Sequence, residues 1–183
     1  MFLANNMTDR KLFGTNQLVD DFVNQLELIE TLNYGTHVRY IDKSTGQQWL
    51  KYSVDPDGSR FFNLIQWIPR LTTEQLIDVT FNSLYPDEVS AAAYRLYLEE
   101  DSEKKEYRKA LLTRIQEAAN GQLSILDKAR LDTIIRSAGL INVLNQGEIV
   151  GKHYTEIEKD FISLKEVAAE ARKILDKLYD YKH

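Results

Sequence analysis

The sequence contains no cysteine and little proline or glycine. The absence of Cys from all 183 residues excludes disulfides, thiolate nucleophiles, iron–sulfur clusters and Cys-ligated zinc. With 3 Pro and 8 Gly, the chain also has few of the residues that form turns, and an all-β fold needs many turns. A cysteine-free chain suits a reducing compartment, and the scarcity of turn residues favours helices.

Long apolar runs and an excess of positive charge are also missing. No apolar stretch approaches the roughly 20 residues that span a bilayer, and residues 1–11 lack the basic start and apolar core of a signal peptide. The formal net charge of -5 opposes attraction to nucleic acid and to anionic lipid. We therefore predict a cytoplasmic protein that binds neither nucleic acid nor a membrane.

The composition that is present is that of an ordinary folded domain. The 43% hydrophobic and 28% charged residues lie far from the composition of disordered chains, and the length suits one domain. We predict a single domain over residues 1–183. A helix and a small β-sheet occupy residues 1–70 in this prediction, and a helical bundle occupies residues 71–183.

Residues 15–35 have the spacing of an amphipathic helix. Apolar side chains recur at steps of three, four and seven: Leu18, Val19, Phe22, Leu26 and Ile29. This period predicts one helix whose apolar face points inward. Gly35 supplies the permissive backbone that ends such a helix.

After this helix the apolar period changes to two. Alternate apolar residues form two runs: Val38 and Tyr40, then Leu50, Tyr52 and Val54. This alternation is typical of strands, and the KSTG loop between the runs predicts a hairpin. Residues 60–68 fit either a strand or a helix, and we favour a third strand.

From residue 71 onward the apolar spacing is helical. Thr72 and Gln75 have capping-box spacing, Pro86 suits a first helical turn, and Ser124 suits an N-cap. The predicted fold class is α+β and predominantly helical. It comprises an antiparallel helical bundle, or an irregular helical-repeat-like array, with a small N-terminal antiparallel β-hairpin or three-stranded sheet as an appendage.

The last predicted helix has heptad spacing. Its apolar residues follow alternating steps of four and three: Ile157, Phe161, Leu164, Ala168, Ala171, Leu175 and Leu178. We expect this stripe to pack against its own chain, because the small Ala168 and Ala171 suit close helix crossing in a monomer core. A coiled coil between two copies is the alternative, so the predicted protein is a monomer or a homodimer through this helix.

The segment DPDGSR places oxygen ligands at Asp55, Asp57 and Ser59. A calcium loop of the EF-hand type also needs glycine at its position 6 and glutamate at its position 12. Those positions hold Arg60 and Gln66. The proline and glycine of the segment suit a tight turn, so we predict a turn and no metal site.

The predicted hairpin is rich in aromatic residues that suit a binding surface. By strand alternation Trp49 and Lys51 face away from Leu50 and Tyr52, so we expect Trp49 to be partly exposed. Tryptophan and tyrosine are favoured anchors at protein interfaces. The alternative is that these aromatic side chains fill the space between sheet and helices.

The segment LYLEEDSEKKEYRK concentrates acidic and basic residues in a short stretch. Paired carboxylates perform acid–base chemistry only in a sheltered cleft, and mixed charges at a helix junction indicate a solvated face. We therefore assign the acids of this segment to a partner-binding surface. The predicted partner-binding residues are Trp49, Lys51, Tyr34, Glu99, Glu100 and Asp101.

Sequence motifs for catalysis and cofactor binding are missing. No phosphate-binding loop, dinucleotide fingerprint or nucleophile elbow occurs, and His37, His153 and His183 are far apart in the chain. We predict no catalytic residue, cofactor or metal. The predicted function is a non-enzymatic protein-interaction module that binds a partner protein, and a small acidic inhibitor or immunity-type protein is one form of it. Two alternatives remain: a metal-independent enzyme with a site assembled from dispersed Asp, Glu, Tyr and His, and a structural homo-oligomer through the C-terminal helix.

Overall fold

The computed structural model describes residues 9–54, 60–144 and 151–179. The turn predicted at Asp55 to Ser59 lies outside these residues. The strands and helices follow in the order β1 (Leu12–Phe13), α1 (Asn16–Val23), β2 (Glu27–Leu32), β3 (His37–Ile41), β4 (Gln48–Ser53), β5 (Phe62–Ile68), α2 (Thr73–Asn82), α3 (Pro86–Glu103), α4 (Arg108–Ala119), α5 (Ile125–Ser137) and α6 (Tyr154–Tyr179). The described part of the chain is therefore α+β, and most of its residues lie in helices.

The strands form one antiparallel sheet in the order β1-β5-β4-β3-β2. The predicted hairpin is confirmed as β3 and β4, where the backbone N–H of Asp42 donates to the carbonyl of Gln47 at 2.9 Å. The third strand favoured for residues 60–68 is confirmed as β5. The sheet nevertheless has five strands, because two further strands, β1 and β2, lie where no strand was predicted.

The helix predicted over residues 15–35 is wrong beyond Val23. Its second half forms β2, and Gly35 lies in the 3-10 turn Asn33–Gly35 that leads into β3. The β2–β3 register shifts between Leu28 and Glu30, so that one extra residue interrupts the strand. This bulge breaks the period of two and hides the strand from pattern analysis. β1 was missed because two residues are too few to show any period.

Both faces of the sheet carry buried apolar side chains. On one face Leu12, Leu50 and Ile65 join the main core, which also contains residues of α2 to α6. On the other face Phe13, Trp49 and Leu64 form a second cluster with Val19 of α1, and Phe22 of α1 packs against it. The sheet is therefore a layer between α1 and the other helices, and the expectation that it is an appendage of the bundle is wrong.

The helices that follow the sheet begin where the capping signals predicted. Thr72 Oγ1 accepts a hydrogen bond from the backbone N–H of Gln75 at 3.2 Å, and Ser124 Oγ accepts one from that of Asp127 at 3.1 Å. In each case the side chain three residues after the cap bonds back to complete a capping box. α2 packs on α3, α3 on α5, and α4 and α5 both pack on α6.

Helix α6 buries the C-terminal part of its heptad stripe. The buried side chains begin at Val167 and end at Leu178, which confirms the prediction that this part packs against its own chain. Nearer the start of the helix, Phe161 and Ile162 are 41% and 49% exposed. None of the helices in the described part of the chain has the length and apolarity needed to cross a membrane.

Replacing Trp49 by alanine should lower the free energy of unfolding by about 3–5 kcal/mol, because the change removes a buried aromatic ring and leaves a cavity. Urea unfolding followed by circular dichroism measures this loss. Leu28→Ala is the control, because Leu28 is 57% exposed and its truncation should change stability by no more than about 0.5 kcal/mol. A loss below about 1 kcal/mol for Trp49→Ala would contradict the burial of the second sheet face.

Candidate functional site

Strand β2 forms one edge of the sheet. Among the described strands it pairs only with β3, so its outer side presents backbone N–H and C=O groups to solvent. Four large side chains are exposed along this strand and at the turn that follows it, and we call them the edge surface: Leu28, Ile29, Leu32 and Tyr34. An exposed apolar strand edge is unusual because it invites pairing with another chain.

The helices cover the sheet mainly at the end away from β2. The main contact of α1 with a strand is with β5, and that of α3 is with β1. These two strands are adjacent at the opposite edge of the sheet. The helices therefore cover less of the sheet near β2, which explains why apolar side chains stay exposed there.

The charged side chains on and near β2 are paired within the sheet. Glu30 accepts a hydrogen bond from Arg39 Nη1, and Arg39 Nη2 donates to Gln48 Oε1 at 2.8 Å. Lys43 forms an ion pair with Glu27. The edge therefore presents apolar side chains beside neutralised carboxylates. Edge strands often carry a lysine or a proline that prevents pairing with another strand. β2 contains neither residue.

Tyr34 ends the edge surface in a strained backbone conformation. Its φ of 55 and ψ of 33 lie in the left-handed region, which costs a residue with a Cβ atom about 1–2 kcal/mol. Its side chain is fully exposed, so burial does not offset this cost. Strain that folding does not repay is typical of functional positions. The structure thus places Tyr34 on the surface, where a partner-binding residue must lie.

Two of the predicted partner-binding residues lie beneath α1. Trp49 faces away from Leu50 as strand alternation predicts, but it is 3% exposed, so the expectation of partial exposure is wrong. Lys51 Nζ donates to Asp20 Oδ1 of α1 at 2.9 Å. The sequence showed that α1 has an apolar face without showing that this face packs on Trp49.

The acidic segment of α3 is folded inward, so the predicted solvated face is wrong for Glu99. This side chain is 2% exposed, and its two carboxylate oxygens accept hydrogen bonds from Arg95 Nε and Lys105 Nζ, each at 2.8 Å. The chain reverses at Lys104, whose φ is 55. This reversal brings Lys105 back against the last turns of α3 and buries the pair.

Glu100 is also held within the fold, and of the three predicted acids Asp101 is the exposed one. Arg108 donates two hydrogen bonds to the carboxylate of Glu100, from Nε to Oε1 at 2.7 Å and from Nη2 to Oε2 at 2.6 Å. Arg108 Nη1 also donates to the carbonyl of Asn142 at 2.5 Å. These bonds tie α3, the start of α4 and the chain after α5 together.

Burial and ion pairing shift the pKa values of groups in this region. Burial alone would raise the pKa of Glu99, but hydrogen bonds from Lys105 and Arg95 outweigh it, so the pKa lies below its ordinary value. Burial, followed by the charge of Arg95, lowers the pKa of His37. His37 is therefore neutral at pH 7, and Glu99 is ionised. The ionised state of Glu99 suits its internal ion pairs with Arg95 and Lys105.

In residues 9–54, 60–144 and 151–179, no group of three or more His, Asp or Glu side chains is arranged to hold a metal ion. Comparisons of the chain with protein-family models, with curated proteins and with solved structures found no match. The edge surface, which includes Tyr34, lies open to a partner. The residue pattern indicates Tyr34 but not the strand that precedes it, because the bulge interrupts the period of two.

Glu99→Gln should lower the free energy of unfolding by about 2 kcal/mol at pH 7, because it removes charged hydrogen bonds to Arg95 and Lys105 and leaves these side chains with only the more exposed Glu103 as counter-charge. A carboxyl whose pKa is lowered by folding adds stability above its unfolded pKa, and this stability is lost as the pH falls through the folded pKa. The difference between the two proteins should therefore shrink as the pH falls below the ordinary pKa of glutamate.

Urea unfolding of wild type and Glu99→Gln from pH 7 down to pH 3 measures this difference. Asp101→Asn is the control, because it removes the same charge from an exposed position and should change stability by less than about 0.5 kcal/mol. An equal difference between wild type and Glu99→Gln at every pH would refute the assigned role of the Glu99 carboxylate.

Tyr34→Asn should raise the free energy of unfolding by about 0.5–1 kcal/mol, because asparagine tolerates the left-handed region better than tyrosine does. Thermal and urea unfolding measure the gain. Tyr154→Asn removes another exposed tyrosine, from the start of α6, and should give no such gain. A destabilised Tyr34→Asn protein would show that the tyrosine side chain serves the fold itself.

Proposed function

We propose that the protein is a non-enzymatic protein-interaction module that binds an extended segment of a partner protein along the outer side of β2. The observation that carries this proposal is the edge surface, an open strand edge with exposed apolar side chains beside the strained Tyr34. In strand addition the main-chain hydrogen bonds supply affinity, and the alternate side chains supply specificity.

The exposed side chains favour an added strand over a flat docking partner. Leu28 lies opposite Tyr40 and so points to the α1 side of the sheet, whereas Leu32 lies opposite His37 and points to the other side. A flat partner would cover one of these faces. A strand added beside β2 has side chains on both faces, and so it covers Leu28 and Leu32 together.

The length of β2 limits the strength of such a complex. A strand that matches its six residues forms an interface smaller than those of stable complexes. We therefore expect a transient complex of micromolar affinity when β2 is the whole binding site. Tyr34 at the following turn extends the contact beyond the strand and supplies an aromatic anchor of the kind that dominates many interfaces.

The narrower form of the proposal is an acidic inhibitor or immunity-type protein that acts on a basic partner in the cytoplasm. The net charge of -5 supports it, because opposite charge speeds association. The charges beside β2 are already paired, so we expect the apolar contacts to set the dissociation rate and the overall charge to set the association rate. Added salt should then slow association more than it speeds dissociation.

Capture of the partner by matched variants tests the proposal. Immobilised wild type, Ile29→Lys and Leu126→Lys are compared as baits in extracts of the source cells, with quantitative mass spectrometry as the readout. Leu126 is 81% exposed on α5, so its variant controls for a new surface lysine away from β2. We expect one stoichiometric partner with wild type and Leu126→Lys, and at least about tenfold less with Ile29→Lys.

Hydrogen exchange in the purified complex tests the binding mode. Strand addition should protect those amides of β2 that do not bond to β3, whereas docking through side chains alone leaves them exchanging. Equal capture by Ile29→Lys and wild type would exclude the edge surface as the binding site. Protection confined to other elements would exclude strand addition even if a partner is found.

A structural homo-oligomer is a second candidate, and the exposure of Phe161 and Ile162 on α6 favours it. Phe161 continues the apolar stripe of α6 toward its N-terminus, where the stripe leaves the protein core, and Ile162 adds a second exposed apolar side chain to the same turn. Two copies that paired there would bury them. Sedimentation of the purified protein separates the two candidates, because Phe161→Lys weakens only self-association and Ile29→Lys weakens only binding of the partner.

A further inference from the structure

A cavity of about 840 Å³ opens between the end of α4, the loop to α5 and the C-terminal half of α6. Sites for small organic ligands have volumes of about 300–1,000 Å³, so the cavity is large enough for such a ligand. None of the edge-surface residues lines it. The cavity is therefore a separate feature that the proposed protein interaction does not use.

Hydrogen-bond donors dominate the lining of the cavity. The side chains that bring N–H groups are Lys128, Lys173, Lys177, Gln116, Asn120 and Gln122. Glu170 is the one acid among the lining residues, and it pairs with Lys173 at 2.6 Å. Within the described part of the chain, Lys128 and Lys177 form no ion pair. The cavity thus carries an excess of positive charge on a protein whose net charge is -5.

This clustering of lysines is unfavourable in the empty protein. Lys173 and Lys177 are one turn apart on α6, and like charges at that spacing repel. Lys128 lies four residues into α5, close to the positive end of the helix dipole. The negative end of α4 at Ala119 offsets part of this charge. The remainder gives a positive potential that complements an anion.

The cavity also has an apolar side. Ile174 and Leu178 of α6 are buried in the core and reach the cavity, and Leu123 of the α4–α5 loop is half-buried beside them. A site with an apolar wall and a few charged groups is the usual build of a small-molecule site. A bare inorganic ion would leave this wall unused.

We propose that this cavity binds a small organic anion that combines an apolar body with a phosphate or carboxylate group. The apolar body packs against Leu123, Ile174 and Leu178. Lys173 and Lys177 hold the anionic group from α6, and Lys128 holds it from α5. The amides of Gln116, Asn120 and Gln122 supply further donors for polar substituents of the ligand.

Three probes that share one ring system test the chemistry of the site. The full-length ¹⁵N-labelled protein is titrated with 1-naphthyl phosphate, 1-naphthoate and 1-naphthol, and backbone amide shifts are followed by NMR. We expect saturable shifts at Gly121, Leu123 and the last two turns of α6 with at least one of the two anions. Neutral 1-naphthol should bind at least about tenfold more weakly. The stronger of the two anions identifies the preferred head group.

Variants locate the binding site. Lys173→Gln combined with Lys177→Gln should weaken binding of the better anion at least about tenfold. Lys159→Gln is the control, because it neutralises an exposed lysine of α6 outside the cavity lining and should leave binding unchanged. If the double variant fails to fold, Lys177→Gln is tested alone, and the salt dependence of binding to the wild type is measured as well. The affinity of the wild type for the anion should fall as the ionic strength rises.

Three results would overturn the proposal. They are equal binding of 1-naphthol and the anions, undiminished binding by the folded lysine variants, and shifts that do not saturate or that lie outside the cavity. Failure of this test leaves the edge surface untouched, because the two proposals share no residue.

Discussion

The central constraint on this fold is that the sheet has two apolar faces, both of which must be covered. The helices that follow the sheet cover one face, and the 8-residue helix α1 covers the other. A helix this short is marginal in isolation. It forms here because Val19 and Phe22 pack on Phe13 and Trp49, with the rings of Phe22 and Trp49 4.8 Å apart. Because α1 and the other helices contact mainly the strands at the opposite edge, apolar side chains of β2 stay exposed on both faces of the sheet.

Buried carboxylates on α3 fix how the sheet joins the helices. At the start of α3, Glu88 accepts hydrogen bonds from the backbone N–H groups of Lys11 and Leu12 at 2.6 and 2.9 Å. Acidic side chains are favoured at this end of a helix, and here they also satisfy the backbone of β1. Gly14 follows, where a Cβ atom would lie 2.4 Å from the carbonyl oxygen of Asp87. Burying these carboxylates without their hydrogen-bond partners would be costly. The carboxylates therefore fix the position of β1 against α3.

Local signals in the sequence predicted the helices after Pro69, because a cap and an apolar period are properties of a few neighbouring residues. The features that depend on distant contacts were not predictable. Trp49 is buried because α1 packs against its face of the sheet. Glu99 is buried because the chain reverses at Lys104 and brings Lys105 back against α3. The lysines of the cavity come from separate helices, α5 and α6, so no spacing in the sequence brings them together. Tyr34 was predicted as a partner-binding residue because tyrosine is a favoured interface anchor, but the sequence pattern placed it at the end of a helix and not in the turn that it occupies.

The most direct test of this account is native-state hydrogen exchange of the full chain, resolved to single amides. The account predicts that the hydrogen-bonded amides of β4, β5 and α1 exchange only on global unfolding, because each contributes to a core on one or both sheet faces. It predicts that the amides of β2 exchange through local opening at a clearly lower free energy. Amides of β2 as protected as those of β4, or an α1 that exchanges freely while β4 stays protected, would contradict the account.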